Sequence, residues 1–284
     1  MRRLTLAFVL LVLVLGGGAL WVRSYLATPL AVAGEGYTLE VPTGASWSTI
    51  VGRLATDRVV RYPAVLAAWG RLTGQAGRIQ AGEYQLAPGL TPVTLLDLLE
   101  SGRVVLHKLT LVEGWTVRQT LAALRGETAL RHTLKATGPE DLARELGLDW
   151  PSAEGAFLPE TYLFARGDAD RDLLGRAHAA LKAQLDEAWR NRQAGLPLAT
   201  PYELLVLASI VERETALPAE RPRIAGVFVR RLETGMRLQT DPTVIYGIGP
   251  AFDGNLTRAN LETDTPWNTY TRAGLPPTPI AAAG

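Results

Sequence analysis

No charged side chain occurs between Leu4 and Val22, a run of 19 residues. As a helix rising about 1.5 Å per residue it would reach about 28 Å, enough to cross the hydrocarbon core of a bilayer. Arg2 and Arg3 precede the run, which favours a cytoplasmic N-terminus, and Trp21 stands at its far end, where an indole suits the membrane interface. Arg23 on the far side weakens that charge bias. A cleaved signal peptide is the competing reading, with Ala31-Val32-Ala33 as the small-x-small site. That site lies well beyond the apolar run and past Arg23, and the run is longer than a usual signal core. The reading taken here is an uncleaved anchor: residues 1–23 form a cytoplasmic stub and transmembrane helix, and the bulk of the chain lies outside the cytoplasm.

The rest is ordinary globular sequence. The chain has 284 residues, of which 47% are hydrophobic and 20% charged, so one or two domains can each bury a core. Basic and acidic residues number 29 and 28, and only three of the basic ones are lysines. They are interspersed, without the basic stripe of a nucleic-acid binder, so no nucleic-acid partner is expected. The absence of cysteine removes disulfides, thiolate metal sites and thiol nucleophiles. His107, His132 and His178 match no metal-ligand spacing, and neither a metal nor a cofactor is expected. Asp168-x-Asp170-x-Asp172 begins like a calcium loop, but Leu173 and Ala179 replace the required glycine and glutamate. These acids read as a turn and a helix N-cap.

Hydrophobic periodicity divides the chain further. Residues 24–36, with Pro29, Gly34 and Gly36, read as a linker. Residues 37–105 alternate between strand and helix patterns: a strand at Tyr37–Val41, a helix after Ser46, a helix from Pro63 to Leu72, a strand over Ile79–Leu86 and a helix near Val93–Glu100. This reads as a small binding or docking module. Residues 106–284 begin with a strand at His107–Val112 and continue mainly as helices: Thr116–Arg125, a short one near Asp141–Leu146, Arg171–Gln193, Pro201–Thr215 and Pro222–Glu233. Beyond Gly235 the polar, glycine- and proline-rich sequence reads as loop. The expected class is α+β.

The helix Leu204–Thr215 is apolar until Glu212-Arg213-Glu214. At about 100° per residue, Glu214 falls about 20° from Leu207 and about 40° from Ile210, and so continues a buried-looking face. Glu212 falls on the opposite side. A carboxyl at the end of an apolar stripe should have a raised pKa, which suits a general acid; an exposed final turn with both acids solvated is the plainer alternative. Leu238 to Gly247 packs amide, hydroxyl, carboxylate and phenol groups around Pro242. Asn268-Thr269-Tyr270-Thr271 repeats that character. Such groups can bind a sugar through hydrogen bonds and ring stacking, or can be ordinary loop.

The segment Leu207-Ala208-Ser209-Ile210-Val211-Glu212-Arg213-Glu214-Thr215 resembles the catalytic motif of the endolytic murein transglycosylases, the MltG (YceG-like) family. Arg237 to Gly247 is similar to a second motif of that family, and Asn268-Thr269-Tyr270 with Gly274-Leu275-Pro276-Pro277 to a third. Upstream, Leu111-Val112-Glu113-Gly114 and Glu154-Gly155-Ala156-Phe157-Leu158-Pro159-Glu160-Thr161-Tyr162 also fit, in the same order. Five motifs in order are far more specific than any one.

The resemblance implies a LysM-like module over 37–105 and a transglycosylase catalytic domain over 106–284. It implies cleavage of the MurNAc–GlcNAc bond of peptidoglycan glycan strands without water, leaving 1,6-anhydro-MurNAc ends and terminating nascent strands at the outer face of the bacterial inner membrane, with cell-wall synthases as partners. By the family motif the single acid and base falls on Glu214, with Glu212 in reserve. Gln239, Thr240, Asp241, Tyr246, Asn268 and Tyr270 are the expected cleft residues, with Glu160 a further cleft carboxylate where family members often have Asp. Members of the family continue several dozen residues past the point matching Gly284, through strands and His- and Asn-containing motifs that complete the catalytic domain. Two other functions stay open on these residues. One is an inactive glycan-binding or synthase-regulating protein. The other is a muramidase using Asp241 or Glu160 as a second carboxylate.

Overall fold

The computed structural model describes residues 2–284, without the side chain of Arg3. It is an α+β chain that divides into two compact units. One takes in the chain through His107 together with Ala165–Gly167; the other takes in Lys108–Phe164 and Asp168–Gly284.

The first unit opens with α1 (Arg2–Ala27), whose stretch Leu4–Ala27 is long and apolar enough to cross a membrane. The helix extends four residues into the expected linker, and the rest of that linker is anchored too. Tyr25, Leu26 and Leu30 are buried, and the Leu30 and Ala31 amides donate to Leu90 O and Val59 O at 2.7 and 3.0 Å. Apolar side chains with a core beside them do not stay in a free tether.

Strand β1 (Tyr37–Val41) then pairs antiparallel with β2 (Gly82–Leu86), Tyr37 opposite Leu86 and Val41 opposite Gly82. Between them run α2 (Trp47–Thr56), capped by the Ser46 hydroxyl, and α3 (Pro63–Leu72); α4 (Pro92–Ser101) follows. Leu39, Leu54, Leu66, Tyr84 and Leu95 are wholly buried between these elements. Each buried leucine contributes about 1.5–3 kcal/mol relative to exposure. Strand β2 begins three residues later than its alternation suggests, because Gln80 N donates to Leu99 O at the end of α4 and not to a strand.

Strands β3 (Leu106–Thr110) and β4 (Thr161–Ala165), most of whose residues belong to the second unit, form a two-stranded sheet. The sequence reading missed β4, whose partner lies some fifty positions upstream; the Thr110 and Thr161 hydroxyls meet across the pair at 2.8 Å. Helices α5 (Val117–Gly126), α6 (Pro139–Leu146) and α7 (Asp170–Arg190) enclose a core with Leu121, Leu142, Phe157, Phe164 and Leu173. The N-cap expected among Asp168, Asp170 and Asp172 falls on Ala169, and Asp170 is the first residue of α7. Its carboxylate accepts from the Thr133 amide and hydroxyl and from Leu134 N, and though burial works to raise its pKa, these bonds hold it below the usual carboxylate range.

A second core gathers α8 (Pro201–Glu214), α9 (Arg221–Glu233) and the last residues, around Leu207, Ile210, Phe228, Leu238 and Ile280. The segment after Gly235 is not all loop. It contains α10 (Asp241–Ile248) and the short α11 (Arg258–Glu262). Pro242 starts α10 instead of breaking the chain, because its missing N–H falls in the first turn, where no partner is needed.

Candidate functional site

Helix α8 carries its buried stripe through Leu207, Ser209 and Ile210 and ends at Glu214. The burial expected of Glu214 is absent: its side chain emerges at the helix end and is exposed. It is held from one side. Thr240 Oγ1 donates to Glu214 Oε2 at 2.8 Å. Thr240 is fixed in turn, since its amide donates to Thr269 Oγ1 at 3.1 Å and it is 2% exposed.

Next to Thr240, Asp241 opens α10 and accepts a 2.6 Å hydrogen bond from the Tyr270 hydroxyl. Burial and this bond push the Tyr270 phenol up to about 12, with a smaller push from the charge of Glu214. The structure therefore brings Glu214, Thr240, Asp241 and Tyr270 together. Gln239 leads into the group with a left-handed φ of 52°, and its amide donates to Thr269 O at 3.2 Å.

The other expected residues stand elsewhere or are already engaged. Asn268 is wholly buried, donating through Nδ2 to Leu261 O and Thr263 O at 3.0 and 2.6 Å while Oδ1 accepts from Tyr270 N at 2.8 Å. It shapes the loop that presents Tyr270. Glu212 faces away from Glu214: its side chain is 8% exposed and pairs with Arg221 at 2.9 Å, a guanidinium it shares with Glu113. Glu160 is exposed at the start of β4, where its carboxylate accepts from Thr161 N at 2.9 Å.

Tyr246 belongs to a second neighbourhood. A cavity of about 590 Å³ opens beside the C-terminal half of α10, lined by Tyr246, Trp267, Phe252, Arg213 and Glu154 among others. Tyr246 and Trp267 meet edge to face with centroids 5.4 Å apart. Gly247 makes room for this, since a Cβ there would stand 2.7 Å from Thr265 Oγ1. Arg213 links the two neighbourhoods in sequence, lying next to Glu214 while it lines the cavity and donates to Gly114 O at 3.2 Å.

A buried carboxyl beside this cavity is Glu154, which the residue-by-residue reading did not single out. It is 1% exposed, with Oε1 accepting from Val117 N at 2.9 Å and Oε2 hydrogen-bonded to the Tyr246 hydroxyl at 3.0 Å. Burial raises its pKa to about 7 against the opposing pull of those two bonds. The same burial, with the charge of Glu154, drives the Tyr246 phenol well above its ordinary value. The available signal was an acid set among small and apolar residues, Ala153-Glu154-Gly155-Ala156-Phe157, every one of which is buried.

This arrangement has relatives. An endolytic murein transglycosylase of Bacillus subtilis strain 168 is 29% identical over 289 residues, covering 96% of this chain and 79% of that protein. Endolytic murein transglycosylases of Streptococcus pneumoniae are 26% identical over 276 residues; the match covers 86% of this chain but 49% of their length. The crystal structure of a YceG-like protein from Listeria monocytogenes superposes with a TM-score of 0.52 at 26% identity, covering 89% of this chain and 88% of that one. The profile of the YceG-like family matches residues 39–284, which takes in β1 from its third residue, the other three strands and the helices that carry Glu214 and Tyr246, and the chain belongs to that family.

Proposed function

We propose that this protein is a lytic transglycosylase of peptidoglycan, with Glu214 as its single acid and base. The observation that carries the reading is the placement of Glu214: a carboxyl on a rigid helix end, open to solvent, with one oxygen held by Thr240 and a polar wall of Asp241 and Tyr270 beside it. The names of the relatives, endolytic murein transglycosylases, support the same chemistry.

In the proposed reaction Glu214 gives its proton to the oxygen linking MurNAc C1 to the next GlcNAc. The C1–O bond breaks, and the GlcNAc portion leaves as an alcohol. The MurNAc 6-hydroxyl then bonds to C1 and returns its proton to Glu214. No water is consumed, the product ends in 1,6-anhydro-MurNAc, and the carboxyl is regenerated. One carboxyl suffices, in contrast to the paired carboxylates of hydrolases. The exposed helix α1 suits a single-pass anchor in the inner membrane, with Arg2 and Arg3 cytoplasmic and the chain beyond α1 outside, where nascent strands could be terminated beside cell-wall synthases. The first unit, two strands enclosing two helices, suits a LysM-like glycan-holding module.

The test is to incubate the full chain in detergent with uncrosslinked glycan strands, beside a Glu214→Gln copy, and to read products by mass spectrometry. Anhydro-MurNAc ends from the parent chain and none from the variant are expected. Reducing ends would establish a hydrolase. Glycan binding without cleavage by the parent chain would establish an inactive binding protein.

A further inference from the structure

The cavity beside α10 is not needed for the proton transfers at Glu214, yet it contains a buried titratable group in contact with a phenol. Its wall combines an edge-to-face aromatic pair, Tyr246 and Trp267, with the apolar Ile245, Ile248 and Phe252. Such a wall takes the CH face of a pyranose and the methyl of an acetamido group. The polar group set into that aromatic wall is the Tyr246 hydroxyl, which lies against Glu154 Oε2 at 3.0 Å, while Arg118, Gln119 and Arg213 supply further donors around the cavity.

The proton on Glu154 decides what that hydroxyl can do. If Glu154 is ionised, both its oxygens only accept, and Tyr246 must spend its hydrogen on Oε2. If Glu154 carries a proton on Oε2, it donates to the Tyr246 oxygen, and the phenol hydrogen is released toward the cavity. Thr278 Oγ1, which accepts from Trp267 Nε1 and donates to Pro279 O, both at 2.9 Å, is the other hydrogen-bonding neighbour of the Tyr246 hydroxyl, and its remaining lone pair is what an incoming carbonyl must outcompete for the released hydrogen. We propose that the cavity is a subsite for an N-acetylhexosamine unit, in which Tyr246 donates to the acetamido carbonyl and Glu154, by holding a proton, frees it to do so. This deepens the transglycosylase reading and rests on it for the identity of the glycan.

The groups facing Glu154 favour its neutral form near neutral pH. Burial dominates, the carboxylate of Glu140 in α6 adds to it, and the phenols of Tyr202 in α8 and Tyr246 in α10 are the other titratable neighbours. Opposing them, Val117 N at the start of α5 donates to Oε1, and the guanidiniums of Arg118 and Arg213 line the same cavity.

The test is equilibrium binding of chitotetraose to the full chain in detergent, with cellotetraose, which lacks the acetamido groups, as the control sugar. The parent chain should prefer chitotetraose, and its affinity should fall about tenfold from about pH 6 to about pH 8 as Glu154 ionises. Glu154→Gln, whose amide donates to Tyr246 at every pH, should bind with a flat profile over that range. Tyr246→Phe should lose the preference for the acetamido sugar while keeping weak binding to both. Equal affinity for the two sugars in the parent chain, or the same pH profile in parent and Glu154→Gln chains, overturns the proposal. Neither outcome depends on cleavage, so loss of anhydro-product formation would sink the reading of Glu214 and leave the subsite standing, and the reverse holds too.

Discussion

Thr240 Oγ1 reaches Glu214 Oε2 at 2.8 Å across 26 positions of sequence, and so joins the end of α8 to the start of α10 at the carboxyl proposed to do the chemistry. Replacing Thr240 with valine keeps the shape and removes the donor. Glu214 should then sample more rotamers, and turnover on glycan strands should fall about tenfold with little change in KM. Steady-state kinetics of Thr240→Val against the parent chain check this. An unchanged kcat would show that the hydrogen bond does not position the acid.

Glu154 should make the fold sensitive to pH. Its folded pKa of about 7 lies above the ordinary glutamate value of 4.5, so the folded state binds the proton more tightly than the unfolded chain. Stability from this group is fully present below about pH 4.5 and is lost as pH rises through about 7, amounting to about 2–4 kcal/mol. Glu154→Gln removes the linkage. The variant should melt higher than the parent at about pH 8, and the gap should narrow toward about pH 5, in thermal melts followed by circular dichroism.

Asn268 saturates its side chain on backbone groups of its own loop while wholly buried. Asn268→Ala leaves the carbonyls of Leu261 and Thr263 and the amide of Tyr270 without partners, at a cost of about 2–4 kcal/mol. The loop presenting Tyr270 should loosen, with faster amide exchange over residues 261–272 and a lower Tm. A variant with parental exchange rates would mean that the loop is held by its other contacts.

Gly155 has a φ of 68°, and a Cβ there would stand 2.7 Å from Pro279 Cβ and 3.0 Å from Ala281 O. Gly155→Ala should therefore destabilise the chain by about 2 kcal/mol or more, through strain and overpacking together. Because the clash falls beside Glu154, the parental pH dependence of stability should weaken too, which melts at two pH values would reveal.

Local pattern was enough for most elements. Helices α3, α8 and α9 follow directly from apolar periodicity between prolines and a closing residue, and the apolar run of α1 is legible from composition alone. Those signals act within a turn or two of chain, where helix geometry dictates which residues share a face. Strand β4 and helix α10 were not legible that way. A strand is stabilised by a partner remote in sequence, and Pro242 reads equally as a breaker or as a first-turn residue until tertiary structure supplies the buried side for Val244. The site divides along the same line. Sequence motifs single out Glu214 and the Thr240–Asp241 pair, because those residues lie in short segments whose types and spacing resemble the motifs of the family. Only the folded chain decides that Glu214 is exposed, that Asn268 is consumed by its own loop, and that Glu154 is removed from water. Desolvation is a property of what packs around a group, and the residues packing around Glu154 come from α5, α8 and α10, far from it along the chain.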